Sequence, residues 1–153
     1  MSEEKQRPEP KIKPYVIRKQ KLKNLMANHN INDLRFMYFE AGKYNVTAVT
    51  KLNREDEYFL TVAFSFCSPK DTFCKAAGKV QCLERMAAYD KLTSDQPPDE
   101  MSADDVKYII TMPFAQVPSL ISIGMAYNML PNKPDRLKNS MFQFDVCGCV
   151  TVN

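Results

Sequence analysis

The most regular pattern in the chain is the alternation of apolar and polar residues between Tyr44 and Cys67. Tyr44, Val46, Ala48, Thr50 and Leu52 fall on one side of an extended segment. After the polar run Asn53-Arg54-Glu55-Asp56, the residues Tyr58, Leu60, Val62, Phe64 and Phe66 repeat the pattern, with Phe59, Thr61, Ala63, Ser65 and Cys67 on the other side. Successive strand side chains point to opposite faces, so this period of two predicts strands over 44–52 and 57–67. Upstream, 34–41 is rich in aromatics and ends at Gly42-Lys43. Three such segments joined by short polar connections predict an antiparallel meander.

The period then changes. Ser68 suits an N-cap, Pro69 the first helical position and Asp71 the first turn. Phe73, Ala76, Ala77, Val80, Leu83 and Ala87 come next at helical spacing, and this stripe is expected to cover the apolar face of the preceding strand. Gly78 costs about 1 kcal/mol in a helix interior. Its position fits a close approach either to the sheet or to a ligand. A weaker amphipathic helix is expected over 15–27, where Val16, Leu22, Leu25 and Met26 alternate with Lys and Arg, and 28–33 supplies turn chemistry. Further on, 93–105 reads as a polar, acidic connection whose Asp104 and Asp105 cap the next element. A buried strand is predicted over 106–114, a short apolar helix over 119–130, a polar loop over 131–139 and a closing, bulged strand over 141–152. The expected architecture is α+β: an antiparallel sheet of three to five strands packed by helices on one face. Residues 1–14 form a disordered or extended basic arm, and 15–153 a single α+β domain.

Charge changes this picture. The net charge of +3 hides an asymmetry, because residues 1–25 carry eight basic and three acidic side chains while the remainder is slightly acidic. Such an end is suited to a polyanion, or alternatively serves as a solubilising arm. The uncharged run 108–130 is long enough to span a bilayer, but Pro113 and Pro118 would break a helix and Gln116, Ser119, Ser122 and Asn128 would need partners in lipid. A buried strand and helix is the better reading, and no membrane partner is expected. Five cysteines and no apolar segment near Met1 lead us to expect free thiols and a cytoplasmic location.

Candidate catalytic chemistry is sparse. His29 is the only histidine and lies in a turn, where a solvated role is expected. No phosphate loop, nucleophile elbow or glycine-rich fingerprint is present. The spacing of Cys67, Cys74, Cys82, Cys147 and Cys149 does not match paired zinc ligands, and small buried thiols account for all five. The carboxylates at 55–57, 99–100 and 104–105 read as solvated. No cofactor is implied and no enzyme activity is expected, with thiol or zinc chemistry the last-ranked alternative. The remaining candidates are basic: Lys11, Lys13, Arg18, Lys19, Lys21 and Lys23 at one end, with Lys70, Lys75 and Lys79 around the expected helix start, where backbone N–H groups also favour an anion. The competing reading of these lysines is a solvated helix face, supported by an Asp71/Lys75 pair. Most of the aromatics at Phe36, Tyr38, Phe39, Tyr44, Tyr58 and Phe59 are expected in the core, and an exposed one would be able to stack a base.

The run Val62-Ala63-Phe64-Ser65-Phe66-Cys67-Ser68-Pro69-Lys70-Asp71-Thr72-Phe73, with Lys75, Gly78 and Lys79, resembles a segment of small bacteriophage accessory proteins, in which a strand ending in Cys-Ser-Pro-Lys-Asp enters a helix. The resemblance implies an accessory or early role in a host cell and brings no catalytic residues. A second, architectural resemblance is to double-stranded RNA-binding domains, which run helix, three strands, helix with lysines at the start of the last helix. Here the adjacent lysine pair is missing and about sixty residues remain beyond the helix. The expected function is non-enzymatic nucleic-acid binding through the basic arm. The alternative is a protein-binding inhibitor or adaptor acting on a host factor through apolar surface around 114–130.

Overall fold

The computed structural model describes residues 13–53, 59–95, 107–113, 119–144 and 150–152. Strands β1 (Leu34–Ala41), β2 (Tyr44–Asn53) and β3 (Phe59–Cys67) form the expected meander, and β4 (Ile109–Pro113) adds to its β3 edge. The sheet order is β1-β2-β3-β4 and every pairing is antiparallel. Ala41 pairs with Tyr44 across Gly42-Lys43, and Gly42 has φ +59. That value at the first central position suits a type II′ turn, whose twist matches the flanking strands. Around this sheet lie α1 (Pro14–Ala27), α2 (Lys75–Asp95) and α3 (Ser119–Met129). The fold is α+β with an antiparallel sheet, as the alternation predicts.

The helices do not all lie on one face. Leu34, Val49, Ala63 and Ile109 of the sheet pack with Cys82, Leu83 and Met86 of α2, and Leu22, Leu25 and Met26 of α1 join them. On the opposite face Val46, Ala48, Leu60, Val62 and Phe64 pack with Ile123, Ala126 and Tyr127 of α3. The expectation of helices on one face holds for α1 and α2, and α3 corrects it. The reason lies in β2 and β3, which are buried over consecutive residues and so on both faces. A strand desolvated on both sides needs a cover on both sides.

A second correction concerns which face α2 takes. It packs on the small residues Thr47, Ala63 and Ser65, while the aromatic face of β3 goes to α3. Gly78 explains the choice. A Cβ on Gly78 would overlap the Thr47 hydroxyl and come within 2.8 Å of Thr47 Cβ. The helix therefore rides closer to the sheet than any other residue at this position allows, and only a floor of small side chains leaves room. Of the two readings of Gly78, close approach to the sheet is the one found. The buried stripe of α2 accordingly runs Gly78, Val80, Cys82, Leu83 and Met86, whereas Ala87 is exposed.

On the other face the aromatics make one cluster. Phe39 meets Phe64, Tyr127 and Phe142 edge to face at 5.1–6.5 Å between ring centres. Such pairs add about 0.5–1.5 kcal/mol each beyond their area. Asn128 fastens the chain beyond α3: its amide donates to the Phe142 carbonyl and its carbonyl accepts from the Phe142 N–H. The closing strand expected over 141–152 is instead two short strands, β5 (Phe142–Phe144) and β6 (Val150–Val152), paired as a separate antiparallel sheet. The arm expected over 1–14 is shortened by α1, whose N-cap is Lys13 and which begins at Pro14; residues 1–12, Asp104 and Asp105, and Cys147 and Cys149 lie outside the described residues.

This packing has two measurable consequences. Gly78→Ala gains about 1 kcal/mol of helix propensity but must displace Thr47, and overpacking of this kind costs about 1–3 kcal/mol. We expect net destabilisation in urea denaturation, largely relieved in a Thr47→Ala background; an equal cost in both backgrounds would show that the contact is not limiting. Burial pushes the Cys82 thiol up to about 12 from an ordinary value of 9.0. The folded state then keeps a proton that the unfolded chain releases, so this contribution is complete below about pH 9 and is lost as pH rises toward about 12. Burial also raises Tyr38, Tyr108 and Tyr127, which adds to the same decline. Urea midpoints of Cys82→Ala should fall less steeply above about pH 9 than those of the parent chain.

Candidate functional site

Helix α1 sits on α2 and runs in the same direction. Arg18 Nη1 donates to Cys74 Sγ at 3.4 Å, Lys21 Nζ lies 3.1 Å from Glu84 Oε1, and His29, just beyond α1, is within electrostatic reach of Asp90. No residue of α1 is fully buried. Leu22, Leu25 and Met26 form its contact stripe, with Arg18 and Lys21 along one flank; helical spacing puts Lys19 and Lys23 on the other. From Lys11 to Asn32 the sequence contains no carboxylate. Lys13, Lys19 and Lys23 are exposed, and Lys21 is the one α1 cation with a carboxylate partner among the described residues. Lys11 lies outside them. Tyr15, Val16 and Ile17 stand exposed beside these charges.

The lysines after β3 are placed differently from the expectation. α2 begins at Lys75, seven residues beyond the predicted cap. Ser68 instead organises a turn: its Oγ accepts from the Lys70 N–H at 3.2 Å, and the Asp71 N–H donates to its carbonyl at 3.0 Å. Proline at the second position of a reverse turn is as favourable as at a helix start, and that ambiguity underlies the displaced boundary. Lys70 is therefore an exposed turn residue, not a residue of the helix N-terminus, and Asp71 and Lys75 are not a helical pair. Phe73 folds against Tyr38, ring centres 6.2 Å apart, instead of beginning the stripe.

Lys75 and Lys79 reach over the edge strand. Their Nζ atoms lie 4.7 Å from the ring centres of Tyr38 and Phe36 respectively. A cation above a ring face gains about 0.5–1 kcal/mol at an exposed site and keeps its charge. Phe36 and Tyr38 are half-buried beneath these ammonium groups, Phe39 belongs to the aromatic core, Phe59 is exposed, and Tyr58 lies outside the described residues.

Sequence reasoning missed a cleft of about 450 Å³ between Arg18, the end of β3, the 68–74 turn and the first turns of α2. Thr47, Cys67, Cys74, Gln81 and Glu84 line it. The three described cysteines are all free but are not equivalent: Cys82 is buried, whereas Cys67 and Cys74 are half-exposed in this cleft. That corrects the reading of every thiol as buried. The Ala77 N–H, and after it the Ala76 N–H and the Arg18 guanidinium, pull the Cys74 thiol below its ordinary value, against the opposing effect of partial burial. Thr47, only 1% exposed, has no hydrogen-bond partner for its hydroxyl among the described residues, while neighbouring Ser65 donates to Gln81. A pointer to the cleft was present in the sequence, since a helix glycine facing small strand residues implies a tight seam beside which larger side chains must splay.

His29 is half-buried instead of solvated, and burial, then Lys51, holds its imidazole below the ordinary value. Among the described residues no three His, Cys, Asp or Glu side chains converge as metal ligands, and no helix is long and apolar enough to cross a membrane. Comparison of the chain with protein-family models, with curated proteins and with solved structures finds no match.

Proposed function

We propose that this protein is a non-enzymatic nucleic-acid-binding protein that engages the phosphate backbone through α1 and the basic segment preceding it. The observation that carries this reading is the uncompensated charge of α1. Lys13, Lys19 and Lys23 project from a helix that is held on α2 by a narrow apolar stripe, with no carboxylate in its own sequence. Lysines held on a folded helix track phosphates at less entropic cost than lysines on a free arm. Arg18 and Lys21 contribute less, since each already has a partner in Cys74 or Glu84. Lys70, Lys75 and Lys79 extend the positive surface, and Lys75 and Lys79 sit on rings that leave their charges uncancelled. The segment resembling bacteriophage accessory proteins supports an accessory role in the host cytoplasm.

A second reading, an adaptor that binds a host protein, is favoured by one separate observation. Ile121, Met125 and Met129 recur every four residues along α3 and are exposed, with Met141 exposed nearby in sequence. Methionine-rich surfaces adapt to varied apolar partners.

The two readings separate by salt. Binding of fluorescent single-stranded and duplex oligonucleotides should weaken linearly in log affinity against log salt. Replacing Lys13, Lys19 and Lys23 together by Gln should reduce that slope by about 2–3, at roughly 0.7–0.9 per lost phosphate contact. These side chains are exposed, so folding should be unaffected, whereas deleting 1–25 would also strip Leu22 and Leu25 from the core. An unchanged slope in the triple variant refutes the role of α1, and a complex with a host protein that resists both salt and nuclease would favour the α3 surface.

A further inference from the structure

The cleft beside α2 places two thiols and a guanidinium together, and nucleic-acid binding uses none of this arrangement as a unit. Cys74 immediately precedes α2, where the first N–H groups of a helix have no intrahelical acceptor. Its sulfur accepts from Arg18 at 3.4 Å and is approached by the N–H groups of Ala76 and Ala77. The other charged groups on the cleft are Asp71 of the turn and Glu84, the latter paired to Lys21. The Cys67 thiol donates weakly to the Ser68 carbonyl at 3.7 Å and to that of Asp71 at 3.9 Å. Thr47 lines the same wall, with its hydroxyl packed under Gly78. Cys82, by contrast, is fully buried and donates to the Thr47 carbonyl.

We propose that Cys74 is a peroxide-reactive thiolate and that Cys67, on the same cleft, resolves the oxidised form to an intramolecular disulfide. The Cys74 sulfur attacks one oxygen of a hydroperoxide. An S–O bond forms as the O–O bond breaks, the sulfur loses two electrons, and the departing oxygen leaves as hydroxide or alkoxide and takes up a proton. Arg18 and the α2 N–H groups stabilise negative charge on this sulfur before attack. The Cys67 thiol then attacks the sulfenic sulfur: an S–S bond forms, the S–O bond breaks, and the hydroxyl leaves as water with the Cys67 proton. The turn at 68–71 folds the intervening chain back, and residues 69–72 are exposed. The reaction is stoichiometric, and a reductant restores the thiols.

The test uses the reduced full-length chain. Iodoacetamide labelling followed residue by residue by peptide mass spectrometry should modify Cys74 about ten-fold or more faster than Cys67 or Cys82 at neutral pH. The pH midpoint of the Cys74 rate should lie below the ordinary thiol range and should rise in Arg18→Gln, a shift that a merely structural Arg18 would not produce. With hydrogen peroxide the parent chain should yield a Cys67–Cys74 disulfide, and Cys67→Ser should yield a Cys74 sulfenic acid trapped by dimedone. A Cys74 rate and midpoint equal to those of Cys67 would overturn the activated thiolate. A disulfide to another cysteine, or no dimedone adduct in Cys67→Ser, would overturn the pairing.

Discussion

The contact of Gly78 with Thr47 sets the distance between α2 and the sheet, and the rest of the molecule is arranged around it. A helix seated this low needs a floor of small side chains, which β2 and β3 provide with Thr47, Ala63 and Ser65. The bulky residues of the same strands are thereby committed to the other face, where Phe64, Phe66 and Tyr127 pack against one another and Phe39 joins from β1. The resulting asymmetry, small residues under α2 and rings under α3, gives the two faces different chemistry. The aromatic side is mostly apolar, with Tyr127 bonded to Ser140 and Asn128 to the Phe142 backbone. The small-residue side carries polar seams: Ser65 with Gln81, the Cys82 thiol on the Thr47 carbonyl, and the Arg85 guanidinium on the Phe64 carbonyl.

Polar groups in such a seam need partners, because an unmet buried hydroxyl costs free energy comparable to a lost hydrogen bond. Arg85 illustrates how the cost is met. Its side chain is half-buried, yet the guanidinium donates to a strand carbonyl and stacks 5.0 Å from the centre of the Tyr108 ring. Tyr108 itself has φ 58, a left-handed conformation unusual for a ring-bearing residue. The Phe66 ring at 4.9 Å, Arg85, and the hydrogen bond from the Phe64 N–H to the Tyr108 carbonyl hold it there. The entry into β4 is thus fixed by contacts from β3 and α2, and not by its own sequence preference.

Local periodicity made the meander legible to within two residues, because β1, β2 and β3 pair with near neighbours through short connections. Helix α3 was legible for the same reason, as an apolar run bounded by prolines. The start of α2 was not, since Ser68-Pro69 satisfies a reverse turn as well as a helix cap and only tertiary packing of Phe73 on Tyr38 decides between them. The choice of face was misread because hydrophobicity marks Leu60, Val62, Phe64 and Phe66 as the side to be covered, whereas Gly78 selects by size. The basic residues of the nucleic-acid reading were all visible as composition. The Arg18–Cys74 pair was not: the two residues are separated by 56 positions and meet only because α1 lies on α2.

That placement of α1 has a dynamic consequence. Among the described residues its anchorage is one narrow stripe, one sulfur contact and one solvent-exposed ion pair, with no residue fully removed from water. An element so lightly held is expected to open locally before the strands do. Because Arg18 lines the cleft, such an opening would withdraw the guanidinium from Cys74. The contact between Arg18 and Cys74 therefore lasts only as long as α1 stays docked on α2.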